Sequence, residues 1–139
     1  MDDLRKMIIG AMYNVDERKP FESEAAYFQA NPHVAGMAAE DDRIVMNPFS
    51  KLSPQELNSV RLNEAARIHM RRGQAPTFDL TPEQSSYLDT TTYKGANDAD
   101  RKGTIAARIL SGDPSAGKPT VQQQDYVRAL RRQMGLPGQ

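Results

Sequence analysis

Three short segments of the chain carry the pattern that begins an α-helix, and they constrain the fold more than any other feature of the sequence. In residues 53–56 a capping serine precedes a proline at the first helical position and a glutamate three residues after the cap. Residues 81–84 repeat this pattern with threonine and glutamine, and Thr120 has a glutamine at the same spacing. We therefore predict helices from 53 to about 72, from 81 to about 88, and from 120 to about 134.

The remaining segments predict further helices and one pair of strands. Apolar residues at helical spacing predict helices over 2–12, 21–30 and 99–110. Residues 34–39 and 43–46, joined by an acidic trio, predict a β-hairpin, and the polar residues 14–20 predict a loop. The expected fold class is mainly α (α+β), with five to six short helices and one small β-hairpin. We predict a single domain over 1–139, with N-terminal helices and the hairpin in 1–48 and a helical part in 49–139.

The composition excludes several classes of function. Lys and Arg together number 18, as do Asp and Glu, so the formal net charge is zero. This balance argues against binding of nucleic acid through an overall basic surface. The lack of cysteine excludes disulfides, thiolate catalysis, and zinc or iron–sulfur sites with cysteine ligands. No apolar run approaches the ~20 residues of a transmembrane helix, so we expect no membrane span.

The supply of core-forming side chains is small for a chain of this length. Leu, Ile, Val and Phe account for 25 of the 139 residues. This share lies slightly below the roughly 20% at which disorder becomes a concern, although the high net charge typical of disordered chains is missing. We therefore expect contacts with a partner to contribute to stability.

Two segments approach a catalytic motif without completing it. Residues 112–120 resemble a phosphate-binding loop, but a proline occupies the position of the metal-binding hydroxyl and the segment follows a helix instead of a strand. Residues 63–67 lack the two histidines with which a zinc protease motif holds its metal. His33 and His69 do not form a metal site without carboxylate partners. We predict no cofactor and no metal.

Glu64 lies within the apolar stripe of the predicted helix over 53–72. A carboxylate in this position is either paired with an arginine or has a raised pKa. We favour a structural ion pair of Glu64 with Arg61 or Arg67. The alternative, a general acid, requires a partner carboxylate or a substrate cleft that no sequence motif marks.

Positive charge is concentrated in the C-terminal part of the chain. Residues 101–139 contain seven basic and two acidic side chains. One interpretation is that arginines near helix C-termini complement the helix dipole. The other is a basic surface that meets an acidic partner, for which nucleic acid is one candidate.

Several stretches together resemble small uncharacterised proteins of tailed bacteriophages, especially short-tailed ones. These stretches are residues 31–37 (NPHVAGM) with 43–48 (RIVMNP), residues 63–67 (NEAAR), and residues 103–114 (GTIAARILSGDP). The resemblance covers about residues 25–134. It implies a phage context and a place in the virion, without specifying which place.

We therefore predict a non-enzymatic phage virion or assembly protein that acts through protein–protein contacts, as a capsid, neck, tail or internal component. Its partners would be other phage structural proteins or further copies of itself, in the virion or in the host cytoplasm before assembly. Strand addition at the hairpin edge and packing of the last helix into a groove are the expected modes of contact. The predicted contact residues are Ile44, Met46, Tyr126, Leu130 and Met134, each with core packing as the alternative.

Two other classes of function stay open at this point. One is a small phage-encoded enzyme or lysis accessory that uses Glu64 as its acid. The other is a host-directed regulator that binds nucleic acid or protein with the basic C-terminal third of the chain.

Overall fold

The computed structural model describes residues 14–136 and confirms a mixed α+β fold class. The helix predicted over 2–12 lies outside the described residues. Within them the chain forms five α-helices and a three-stranded sheet. In chain order the elements are β1 (Glu17–Arg18), α1 (Glu22–Ala30), β2 (Gly36–Ala38), β3 (Ile44–Met46), α2 (Pro54–Arg72), α3 (Pro82–Leu88), α4 (Asp98–Ser111), a 3₁₀ turn (Pro114–Ala116) and α5 (Val121–Gln133).

The chain divides into two compact units, Met1–Ile68 and His69–Gln139, and each is described by itself below. The first unit contains the sheet and α1. The second contains α3, α4 and α5. The single domain expected over 1–139 stays a prediction.

The sheet of the first unit has the strand order β1-β3-β2. β2 and β3 form the predicted hairpin, with Met37 opposite Val45 in an antiparallel register. β1, which the sequence analysis assigned to a loop, pairs in parallel with β3 and places Arg18 beside Val45. A strand of two residues is too short to show a period of two in the sequence, so no pattern predicted it.

The two faces of the sheet carry different side chains because successive residues of a strand point to opposite sides. On one face Met37 and Val45 pack with the buried ring of Phe28 from α1. On the other face Gly36 lies beside α2: a Cβ atom at this glycine would come within 3.0 Å of both Met46 Sδ and Val60 Cγ1. A Cβ atom at position 36 would therefore be crowded, and Met46 or Val60 would have to move by a few tenths of an ångström to admit it.

Ion pairs attach the short strand β1 to a helix on each face of the sheet. The Arg18 guanidinium donates to both carboxylate oxygens of Glu24 in α1, at 2.7 and 3.0 Å. Its neighbour Glu17 points to the opposite face and accepts from Arg61 Nε of α2 at 2.6 Å. Opposite charges at two consecutive positions thus hold β1 against two different helices.

The second unit contains a buried pair of glutamines at the beginnings of α3 and α5. Gln84 and Gln123 exchange two hydrogen bonds of 2.9 and 2.8 Å between their side-chain amides. Each is also the third helical residue of its capping box, and its Oε1 accepts from the amide of the capping residue, Thr81 or Thr120. We call this pair the glutamine clasp.

The clasp satisfies every polar atom of both buried amides. The second hydrogen of Gln84 Nε2 goes to the carbonyl of Ala116 and that of Gln123 Nε2 to the carbonyl of Asp79, both at 2.9 Å. A buried polar network of this kind stabilises a unique arrangement only when all its members are paired. The clasp therefore fixes the start of α3 relative to the start of α5.

Candidate functional site

The three-stranded sheet has two edges, one formed by β1 and the other by the outer side of β2, which is the longer of the two edge strands. The Ala39 amide donates to the Arg43 carbonyl and the Asn47 amide donates to the Ala35 carbonyl, both at 2.9 Å. In an antiparallel ladder only alternate residues direct their N–H and C=O groups toward the partner strand. Odd-numbered residues of β2 therefore bond to β3, and Gly36 and Ala38 direct their backbone groups away from it.

The β2 edge, which we define as residues 34–39, carries no charged side chain and no proline that would protect an exposed edge. Natural edges carry lysines, prolines or bulges that prevent pairing with another chain. The β2 edge reads Val-Ala-Gly-Met-Ala-Ala and contains neither a charge nor a proline. Among residues 14–136, nothing pairs with the outward groups of Gly36 and Ala38.

An open cleft of about 530 Å³ lies against the α1 face of the sheet, next to the β2 edge. Its lining includes Met37, the exposed ring of Phe21, and the charged side chains of Arg18, Glu40 and Asp41. The Arg18 guanidinium stacks on the Phe21 ring at 3.8 Å from the ring centroid, a cation–π contact. We call this feature the Arg18 cleft.

Arg18 is occupied by its own unit and does not present its charge as a free anion site. Besides Glu24, it donates from Nε to Asp41 Oδ2 at 2.8 Å and from Nη1 to the Lys19 carbonyl at 3.1 Å. The hydrogen bond to Glu24 raises the pKa of Arg18, against the opposing effect of burial. The same bond, again opposed by burial and assisted by the Phe21 amide, lowers the pKa of Glu24. With three carboxylates to one guanidinium, the cleft carries net negative charge.

Three of the five predicted contact residues are core residues. Ile44 is 1% exposed, Leu130 is 4% exposed and Met134 is fully buried, so these three side chains pack inside the chain, which is the alternative that the sequence left open. Met46 is half-buried. Their apolar spacing cannot distinguish a core face from an interface, because both bury the same side chains.

Tyr126, the fifth predicted contact residue, is also held by its own unit. Its ring packs edge-on against Phe78, with centroids 5.6 Å apart, and its hydroxyl donates to the Gln74 carbonyl at 2.7 Å. Burial raises the pKa of Tyr126 to about 12. Tyr126 is therefore an internal contact between α5 and the segment that precedes α3.

Arg61, one of the two arginines predicted to pair with Glu64, has other partners in the structure. It bonds to Glu17 at 2.6 Å and to Asn58 at 3.2 Å. The reason is the strand β1, which the sequence did not indicate and which brings a carboxylate to this helix. The ion pair of Glu64, with Arg61 or with Arg67, stays a prediction.

The segment that resembles a phosphate-binding loop is a closed turn whose amides bond internally. The Ser115 amide donates to Asp113 Oδ1 at 2.9 Å, and the Gly117 amide donates to the Pro114 carbonyl at 3.1 Å. Burial disfavours ionisation of Asp113, but hydrogen bonds from Ser115 and the charge of Arg108 outweigh it and lower the pKa of Asp113. These amides are therefore not available to cradle a phosphate.

Much of the positive charge of the C-terminal third is used inside the second unit. Four of its seven basic side chains form ion pairs of 2.9–3.1 Å with aspartates: Arg101–Asp89, Lys102–Asp98, Arg108–Asp113 and Arg128–Asp125. Arg101 also donates to the carbonyls of Tyr93 and Ser85. This pairing weakens the case for a basic surface that binds nucleic acid.

Gly36 and Ala38 were not predicted as edge residues, and no role was predicted for Arg18. A signal for the edge was present in the uncharged run over 34–39, which directly precedes the acidic turn. No local signal identifies Arg18, because its partners Glu24 and Asp41 lie 6 and 23 residues away.

Comparison with known proteins provides no relative for this chain: no family model matches it, and no curated protein or solved structure is significantly similar to it. None of the helices within residues 14–136 is both long and apolar enough to cross a membrane. In the same residues, no three His, Asp or Glu side chains are grouped so that they would hold a metal ion.

Proposed function

We propose that this chain is a non-enzymatic assembly protein of a phage particle, and that it acts by adding a strand of another protein molecule to its β2 edge. The observation that carries the proposal is the outward direction of the backbone groups of Gly36 and Ala38. Strand addition at such an edge supplies main-chain hydrogen bonds, while the side chains beside it supply specificity.

Two properties of the surroundings support this proposal. The edge has no charged residue that would repel an incoming strand, and the adjacent Arg18 cleft offers an exposed aromatic ring and the half-buried Met37. Exposed aromatic and methionine side chains are enriched at protein interfaces. The phage context rests on the sequence resemblance alone.

The test of the context is to purify particles of the encoding phage and measure this protein in them by quantitative mass spectrometry. We expect a fixed copy number per particle. Abundance in the infected cell together with absence from particles and from assembly intermediates would refute an assembly role.

The test of the edge uses a proline, because proline removes the amide hydrogen that an added strand would bind. Ala38→Pro is expected to reduce incorporation of the protein into particles at least tenfold. The matched control is Glu22→Pro, which places proline at the first residue of α1, where helices accept it. Equal incorporation of both variants would contradict docking at the β2 edge.

A further inference from the structure

We propose that the strand that pairs with the β2 edge belongs to a second copy of this chain, and that the two β2 strands pair antiparallel about a twofold axis at Met37. This inference rests on the proposed function of the same edge and names its partner. It is carried by the register of β2, the small side chains beside it, and the position of the acidic turn.

The register makes the edge complementary to itself. Gly36 and Ala38 are the outward-bonding residues and lie symmetrically on either side of Met37. A twofold axis at Met37 places Gly36 of each copy opposite Ala38 of the other. Each such pair exchanges two hydrogen bonds, so all the outward groups of both three-residue strands are satisfied. An axis at Gly36 or Ala38 instead satisfies only one such pair within the two strands.

The side chains at this axis allow the strands to approach. On the α2 face the facing residues are glycine and alanine, which leave the backbone accessible. On the α1 face the two Met37 side chains meet. Each is already packed on the cluster of Phe28, Ala39 and Val45, so pairing joins two apolar clusters into one.

Charge selects the antiparallel arrangement over the parallel one. The acidic turn, Glu40-Asp41-Asp42, directly follows the edge. Parallel in-register pairing would place two such turns side by side, where like charges repel. In the antiparallel pair the Glu40 positions are six residues apart along the strand direction, roughly 20 Å. That distance exceeds the Debye length of ~8 Å at physiological salt, so repulsion between the turns is screened.

The lack of cysteine in this chain permits a direct test of the axis. Met37 and its symmetry mate form a non-hydrogen-bonded pair with Cα atoms about 4.5 Å apart, which is within disulfide range. Under mild oxidation, Met37→Cys is therefore expected to form a disulfide-linked dimer at least tenfold faster than the exposed control Ser23→Cys. Ala35→Cys lies on the same face, but its symmetry mate is four residues out of register, roughly 13 Å away, so it should cross-link no faster than the control.

The second measurement is sedimentation equilibrium of the full chain without cysteine. We expect a reversible dimer whose fraction increases over about 1 µM to 1 mM and changes little between 50 and 500 mM salt, because no ion pair forms at the axis. Ala38→Pro should sediment as a monomer, and Glu22→Pro should dimerise like the parent chain. Circular dichroism establishes whether each variant is folded.

Each outcome decides the proposal. A monomer at every concentration, with Met37→Cys cross-linking no faster than Ser23→Cys, would overturn self-pairing. Cross-linking that is fastest for Ala35→Cys would overturn the axis at Met37. If self-pairing fails while Ala38→Pro still prevents incorporation into particles, the β2 edge binds a different protein and the proposed function stands. If the dimer forms but the protein is absent from particles, the pairing stands and the assembly role fails.

Discussion

The glutamine clasp makes a quantitative prediction about the second unit. Gln123→Met keeps most of the side-chain volume but removes four hydrogen bonds, two to Gln84, one from the Thr120 amide and one to the Asp79 carbonyl. At a net contribution of about 0.5–1.5 kcal/mol per bond, the loss of these four bonds should lower the unfolding free energy by about 2–6 kcal/mol. Gln84→Met removes the equivalent four bonds and should cost about the same.

The double variant separates the clasp from the caps. The two bonds between the glutamines are lost in either single variant, so they are counted twice when the single effects are added. The destabilisation of the double variant should therefore be smaller, by about 1–3 kcal/mol, than the sum of the destabilisations measured for the two single variants. The control Gln122→Met changes an exposed neighbour on the same helix and should alter stability by less than about 0.5 kcal/mol.

The assay is urea unfolding followed by circular dichroism, together with native-state hydrogen exchange of the α3 and α5 amides. Hydrogen exchange reports on the second unit even if the first unfolds separately. A coupling energy below about 0.5 kcal/mol would refute the conclusion that the two glutamines stabilise each other. They would then act only as independent caps.

Three further predictions concern packing and ionisation. Gly36→Ala should destabilise the chain by about 1–3 kcal/mol in urea unfolding, because the added Cβ crowds the neighbouring side chains. The control Gly95→Ala should be nearly neutral, because its Cβ meets nothing within 4 Å. Equal effects of the two substitutions would be inconsistent with this packing. The hydrogen bond from Arg18 lowers the pKa of Glu24, so the stability that this pair contributes is complete above the ordinary glutamate pKa and is lost as pH falls through the lower pKa of the folded state. Glu24→Gln should flatten this dependence of unfolding free energy on acid pH, and an unchanged profile would contradict the pairing. Burial raises the pKa of Tyr126 to about 12, so the absorbance at 295 nm should show a titration near pH 12 that disappears in Tyr126→Phe. The stabilisation from Tyr126 should be lost as pH rises from about 10 to about 12, and titration of Tyr126 near its ordinary pKa of about 10 would disprove the burial.

The distance along the chain over which each interaction acts explains which features were predictable. The helix beginnings were predictable, because a cap joins a side chain to an amide only three residues away. The Ser53 hydroxyl accepts from the Glu56 amide, and the Thr81 hydroxyl accepts from the Gln84 amide. The hairpin was also predictable, because its strands are separated only by a short acidic turn. The glutamines were recognised as capping residues, but their pairing across 39 residues was not visible in the sequence.

The candidate site depends almost entirely on contacts that are distant in sequence. β1 exists as a strand because Glu17 and Arg18 find partners on two helices, one of them 44 residues away. The same fold places Ile44, Leu130 and Met134 in the core and leaves the backbone of Gly36 and Ala38 at an edge. Composition and local spacing thus determined the helix starts and the α+β class. Only the tertiary structure decided which apolar residues are buried and which backbone groups stay outward, because these outcomes depend on which distant segments meet.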